Sequence, residues 1–370
     1  MAAGKRDARK IDIHWDSGTA YDFFISQAVL SDPKRYGVPS SWASGMRARL
    51  RPEDRSVLDA ALLVLNVPAR WVHSLPEPKD AERCLEQLAR IPVGKRLAAL
   101  AMVPKEEAAF SALQTLLVDV MRRESWNDED LEALREALKS KRHPWRAGPQ
   151  TEDLRAILET WAHAKAFGEQ YPRALRSYYD VFFKEEERRI TPKLAKALAR
   201  AKERSRELPS VALVEEISQG IHYDETPDMA ELTLVPSYWI SPFVQIHRMD
   251  EDCQLWTFGA RPAEDAIVPG EPIPDALRVS LKALADPTRL KILHYLNREP
   301  LTVGDLAKRL RLRMPTVIHH LSTLRLAGLI RIHVESREKG HRTRFSVRSE
   351  GLDGALHSLR AYLERDSVSE

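Results

Sequence analysis

Leu281-Lys-Ala-Leu-Ala-Asp-Pro-Thr-Arg-Leu-Lys-Ile-Leu293 and, further on, Thr316-Val-Ile-His-His-Leu-Ser-Thr-Leu-Arg-Leu-Ala-Gly-Leu-Ile330 are the stretches on which the reading of this 370-residue chain turns. In the first, Asp286 can accept from the opening N–H groups of a helix, and Pro287 at the first helical position gives up no donor the helix needs. That helix runs on Leu290, Leu293 and Leu296, and an earlier one over 275–284 runs on Leu277, Leu281 and Leu284. Thr302-Val-Gly-Asp305 is a capping-type pattern, with Asp305 where Glu or Gln is usual. It opens a short helix burying Val303, Leu306, Ala307 and Leu310. A tight link over 311–314 leads to Pro315 and a helix over about 315–327, in which Val317, Leu321 and Leu324 form the apolar stripe and Gly328 is the stop.

Two short helices joined by a brief turn, the second polar on its outer face, are the helix-turn-helix arrangement. Strand alternation follows, with Ile330, Ile332 and Val334 set against Arg331, His333 and Glu335. After a polar turn over 337–340, Thr343, Phe345 and Val347 alternate with Arg342, Arg344 and Arg348. A hairpin over about 329–348 with a basic tip and outer face reads as the wing of a winged helix. A last helix over 352–365 sets Leu356, Leu359, Tyr362 and Leu363 on one side.

In these residues the chain resembles the ArsR family of bacterial winged-helix regulators. The two quoted stretches and Leu306-Ala307 between them carry the likeness, in the family's order and spacing, over about a quarter of the chain. The resemblance implies a prokaryotic transcription regulator, a repressor, that binds double-stranded DNA as a homodimer on a pseudo-palindromic site. The family has Ser where this chain has Ile318, which removes one polar contact to DNA. Its arsenic sensors carry two cysteines at positions held here by Thr302 and Gly304, so that thiolate site is absent. Upstream, the 14–33 region and 232–244, with Val235-Pro236-Ser237, look like longer ArsR-like regulators with an uncharacterised N-terminal domain, which supplies no activity for that domain.

The outer face of the 315–327 helix offers Thr316, Ile318, His319, His320 and Thr323, with Arg313 before it and Arg325 near its end. In a major groove such side chains reach base edges, Ile318 suits a thymine methyl, and Arg313 suits phosphate. Lys339, His341, Arg342 and Arg344 on the wing suit the flanking backbone or minor groove. The bland readings are solvated helix fillers for the histidines and ordinary strand residues for the arginines. Leu277 and Leu281 on one helix and Leu356, Leu359 and Leu363 on the last are the candidates for a dimer seam, unless those faces pack on the N-terminal domain.

Charge distribution agrees with a nucleic-acid module. Of 57 Lys/Arg and 54 Asp/Glu, residues 276–348 hold 16 and 5, leaving 41 and 49 for the remainder. A basic segment attached to an acidic one concentrates phosphate affinity in one place. Pro262, Pro269, Pro272 and Pro274 with Gly270 can continue neither a helix nor a central strand, so 262–274 reads as a linker between an N-terminal domain (1–261) and the module (275–370). The N-terminal domain is helix-rich, with helical period over 53–65, 127–139, 152–171 and 192–207, and strand alternation over 10–14 and 230–259. The fold class expected is α+β, mostly helical, with a small sheet and a C-terminal winged helix-turn-helix. All eight tryptophans precede the linker, filling a core or lining a ligand cavity.

The basic N-terminus is followed by no apolar region, and the longest apolar runs (60–65 and 97–103) fall short of the roughly 20 residues a membrane helix requires, so a soluble cytoplasmic protein is expected. Cys84 and Cys253 lie far apart and read as free thiols. No GxSxG, phosphate-cradling glycine loop or HExxH occurs, and His222-Tyr-Asp224-Glu225 reads as a solvated cluster, so no enzyme activity is expected. Two alternatives stay beside DNA binding: a winged helix that recognises another protein, and a metal-responsive regulator with a non-cysteine site using His333, His341 or His357. Scattered histidines are more often non-ligands, and no metal or cofactor is expected. An unidentified small-molecule or protein effector for the N-terminal domain fits the size of that domain.

Overall fold

The computed structural model of the chain describes residues 11–101, 108–139, 149–223, 227, 229–334 and 343–364. The alternation over 230–259 resolves into β3 (Glu231–Ser237), β4 (Val244–Arg248) and β5 (Cys253–Gly259), joined by β1 (Asp12–Trp15) in a sheet of order β1-β3-β5-β4. Strands β1, β3 and β5 are parallel, with Leu234 opposite both Trp15 and Trp256, and β4 runs antiparallel on β5. Both faces of this sheet are covered, which is why β3 is buried at every position after Glu231.

The chain between β1 and β3 supplies the cover. It forms α1 (Thr19–Ser31), α2 (Ser40–Ala48), α3 (Pro52–Leu65), α4 (Ala69–Ser74), α5 (Ala81–Arg90), α6 (Arg96–Leu100), α7 (Ala108–Arg123), α8 (Asp128–Lys139), α9 (Thr151–Ala162), α10 (Ala164–Tyr178), α11 (Lys184–Glu207) and α12 (Ser210–Ile217), then β2 (Ile221–Tyr223). Leu232, Leu234, Trp256 and Phe258 pack against Ala201 of α11 and Leu213 and Val214 of α12. On the opposite face Val235, Leu255, Tyr238 and Trp239 join Phe23, Phe24 and Phe183 in the large helical core. The expected 152–171 helix is two helices, parted at His163 (φ −103°, ψ 35°). The expected 192–207 helix starts at Lys184 and runs through Pro192, fed from α10 by a π-helical turn, Tyr179–Phe183. Trp71, Trp161, Trp239 and Trp256 are buried core residues, whereas Trp145 lies outside the described residues.

Carboxylates buried beneath the sheet's C-terminal edge tie helices to strands. Asp22 of α1 accepts from Ser237 Oγ (2.6 Å) and from the backbone N–H groups of Trp239 (3.0 Å) and Tyr238 (3.1 Å). Burial pushes its carboxyl up to about 6 against those three donors. Asp16 is different: burial acts to raise its pKa, but hydrogen bonds from His73, Lys79 and Tyr21 outweigh that and hold it at about 2.

Residues 262–274 contain neither helix nor strand, as their prolines require. They are nevertheless packed. Ile267 is buried in the large core, and its N–H donates to Asp275 Oδ2 at 2.7 Å. Beyond them come α13 (Asp275–Leu284), α14 (Pro287–Leu296), α15 (Val303–Leu310), α16 (Met314–Leu326), β6 (Ile330–Val334), β7 (Arg344–Val347) and α17 (Ser349–Glu364). Ile292, Leu293, Leu296, Leu306, Val317, Leu321, Leu324 and Phe345 build a second core.

The wing differs from the two-stranded hairpin expected. β2, from the N-terminal part, lies parallel to β6 with His222 opposite His333, giving a three-stranded sheet of order β2-β6-β7. Of the cluster His222-Tyr-Asp224-Glu225 read as solvated, His222 and Tyr223 are half-buried in strand β2, whereas Asp224 and Glu225 lie outside the described residues.

Asp22→Ala would leave one buried hydroxyl and two buried N–H groups without their acceptor and is expected to cost about 3 kcal/mol, measurable by urea unfolding. Because the folded pKa of Asp22 is raised, its contribution is fully present below the ordinary carboxylate value of about 4 and falls as pH climbs towards 6. That component of the pH profile should vanish in the Ala variant.

A candidate nucleic-acid interface

Local chemistry fixes the two helices of the helix-turn-helix. Thr302 Oγ1 accepts from the Asp305 N–H at 3.2 Å, and Asp305 Oδ2 accepts from the Thr302 N–H at 3.1 Å, a reciprocal cap built with Asp in place of Glu. The Thr302 hydrogen bonds lower the Asp305 pKa. Helix α15 stops where Arg311 enters the left-handed region (φ 56°, ψ 42°), and the Leu312 N–H returns to Ala307 O at 3.0 Å. Arg313 then stands at the N-cap of α16, whose first turn contains Pro315.

Burial of Val317, Leu321 and Leu324 decides what α16 displays. Arg313, Met314, Thr316, His319 and Ser322 are exposed, and Ile318 and Thr323 are half-buried beside them. The Thr323 hydroxyl donates to His319 O at 3.1 Å and the Ser322 hydroxyl to Ile318 O at 2.9 Å, so both can still accept from outside. Exposed Lys308 and Arg311 stand in and just after α15, the helix that precedes this edge. The arrangement is a polar and basic helix edge with an orphan N-terminus, which suits phosphate at its start and base edges along its length.

Two residues expected on that edge lie elsewhere. His320 is 13% exposed and faces the N-cap of α14, its Nδ1 4.0 Å from Asp286 Oδ1, and burial lowers its pKa. Arg325 is 8% exposed and points away from the exposed edge: Nη2 donates to Ser218 O at 2.7 Å and Nη1 to Gln219 O. Burial, with the nearby charge of Arg348, lowers its pKa to about 10. Position 325 follows Leu321 by four residues and so flanks the apolar stripe, where the N-terminal part covers it instead of leaving it on the outer face.

On the wing, Arg344 is half-buried opposite His333, and Lys339, His341 and Arg342 lie outside the described residues. Arg331 forms an ion pair through Nε with Glu215 Oε1 (2.7 Å) and through Nη2 with Glu350 (2.7 Å). Of the proposed seam residues, Leu281, Leu356 and Leu363 are exposed on α13 and α17, which pack on each other; Leu359 is half-buried and Leu277 fully buried. The buried Leu277 is therefore part of the single chain's own packing and presents no free face. For the metal alternative, His333 Nε2 hydrogen-bonds Ser346 Oγ at 2.8 Å, His357 is exposed on α17 and His341 lies outside the described residues. No three His, Cys, Asp or Glu among the described residues are grouped to hold a metal. Cys84 and Cys253 are free, and no described helix is long and apolar enough to cross a membrane.

Met314 and Ser322 were missing from the expected set, although the stripe at 317, 321 and 324 puts position 322 outward. Glu215, Ser218 and Gln219, which hold Arg325 and Arg331, carry no local signal, because their role depends on contacts over a hundred residues away.

Residues 286–331 match the family described as bacterial regulatory protein, arsR family. The chain is 31% identical over 84 residues to the transcriptional repressor SdpR of Bacillus subtilis, covering 89% of that protein and 23% of this chain. It is 45% identical over 49 residues to the uncharacterized HTH-type transcriptional regulator MJ0229 of Methanocaldococcus jannaschii, covering 52% of that protein and 13% of this chain. It is 36% identical over 74 residues to the probable mercury resistance operon repressor of Streptomyces lividans, covering 56% of that protein and 20% of this chain. No solved structure matches the chain.

His319→Ala is expected to narrow the preference for a specific duplex over a scrambled one by about 1 kcal/mol, and His320→Ala to leave the preference alone while lowering stability. Competition binding and thermal unfolding of the two variants distinguish these outcomes; the reverse pattern would place His320 on the reading edge.

Proposed function

Because this chain belongs to the ArsR family of bacterial regulatory proteins, we propose that it is a sequence-specific, double-stranded DNA-binding transcription regulator, a repressor that acts as a homodimer. Helix α16 lies in the major groove, and the wing lies on the flanking backbone or minor groove. The observation that carries this reading is the exposed edge Arg313, Thr316, His319 and Ser322, held outward by a stripe whose members are all within 1% of complete burial. Arg313 and the first turn of α16 meet phosphate, and Thr316, His319 and Ser322 reach base edges with Ile318 beside them. Two of the three relatives are named as repressors, which supports the direction of regulation.

The homodimer is supported by the exposed Leu281, Leu356 and Leu363 on α13 and α17. A twofold-symmetric pair would place two copies of α16 on half-sites about 10 base pairs apart, one turn of the duplex. The N-terminal part is then the regulatory one, altering the spacing or exposure of the two reading helices when an effector binds.

Selection of bound fragments from random duplex DNA should enrich an inverted repeat with half-sites about 10 base pairs apart. Failure to enrich any sequence, while the protein is folded, contradicts the proposal. Leu356→Glu with Leu363→Glu is expected to halve the mass measured by light scattering and to weaken binding to the selected site at least tenfold. Retention of the parental mass would move the seam elsewhere.

A further inference from the structure

A short segment of the N-terminal part grips both DNA-facing elements of the winged helix at once. Helix α12 ends in a turn with Gln219 (φ 53°) and Gly220 (φ 112°), closed by the Gly220 N–H on Glu215 O at 3.1 Å. The carbonyls that this helix end exposes, Ser218 O and Gln219 O, take both arms of the Arg325 guanidinium from the last turn of α16. A cation seated on helix C-terminal carbonyls is favoured by the helix dipole as well as by the hydrogen bonds. One residue later, Gly220 O accepts from the Ile332 N–H at 2.7 Å and starts the parallel pairing of β2 with β6. A side chain at Gly220 would come within 3.1 Å of Ile330 O and 3.3 Å of the Arg331 Cα, so the approach of the two backbones needs glycine. Glu215 completes the grip, with Oε1 2.7 Å from Arg331 Nε on β6 and Oε2 2.7 Å from His222 Nδ1 on β2.

We propose that residues 215–222 set the angle between the recognition helix α16 and the wing strand β6, with Arg325 and Glu215 as positioning residues for DNA binding. The winged helix is then not self-sufficient: its third wing strand and the seat of its recognition helix come from the N-terminal part. Any displacement of α12 moves both elements together, which gives the N-terminal part a direct mechanical hold on the DNA-facing surface. This inference rests on the reading of α16 and the wing as DNA-binding elements.

The decisive variant is Glu215→Gln in the full chain, because two accounts predict opposite signs. Removing an acidic charge near a DNA-binding surface would tighten binding if only through-space attraction mattered. Loss of the Arg331 seat should instead weaken binding and flatten the plot of log Kobs against log salt by about 0.9 for each phosphate contact the wing loses. Arg325→Met should flatten it likewise, with Arg325→Lys restoring the parental slope, since Lys can still donate to both carbonyls. If Arg325→Met does not fold, Glu215→Gln alone decides. A parental or steeper slope in Glu215→Gln overturns the proposal, whereas absence of salt-dependent binding in the unmodified protein overturns the DNA-binding reading and this inference with it.

Discussion

Burial of Val317, Leu321 and Leu324 against Leu306 and Ile292 is the constraint from which the rest of the exposed helix-turn-helix surface follows. A helix has one rotational setting once such a stripe is committed, and that setting alone exposes Arg313, Thr316, His319 and Ser322. The opposite flank of α16 is committed as well, by Arg325 docked on the end of α12. Rotating α16 by a residue or two would expose apolar area and strand a buried guanidinium together, so the polar edge is held at two independent places.

Charge alone overstates that surface. Several of the cations in residues 276–348 are internal struts. Arg289 donates to Ala283 O and Lys282 O; Arg278 holds Gly37 O and Asp275; Arg348 reaches Gly328 O; Arg331 joins Glu215 to Glu350. Lys308, Arg311 and Arg313 remain exposed along the helix-turn-helix. The positive balance of this segment therefore has two uses. Part of it locks elements together, and part faces outward where a polyanion can reach it.

The winged helix was legible from the sequence because its signals are local. Asp286-Pro287 and Thr302-Val-Gly-Asp305 each cap a helix by contacts within three residues, and both caps form. The stripe on α16 and the alternation of β6 and β7 follow from periods of about four and two. What was not legible depends on distance along the chain. β2 is three residues long, too short for alternation to register, and becomes a strand only by pairing with β6. Arg325 and His320 were placed on the outer face, although position 320 lies four residues before Leu324 and position 325 four after Leu321, beside the apolar stripe; the surfaces that cover them, the end of α12 and the cap of α14, are set by tertiary packing. In the N-terminal part, the helical period is read only over 192–207, yet the helix arrives from upstream through the π turn at Tyr179–Phe183 and carries Pro192 in its interior. The buried carboxylates Asp16 and Asp22 gave no sequence signal, since their donors come from His73, Lys79 and the end of β3.

The central claim is that an edge of α16 and the adjoining wing meet the phosphates of duplex DNA. Fluorescence anisotropy of the full chain with a labelled random-sequence duplex, titrated at salt concentrations from about 50 to 200 mM, tests it most directly. The account predicts binding at the low end whose log affinity falls linearly with log salt. A folded protein that leaves the duplex unbound in the most dilute buffer, or binds it with an affinity indifferent to salt, would contradict it.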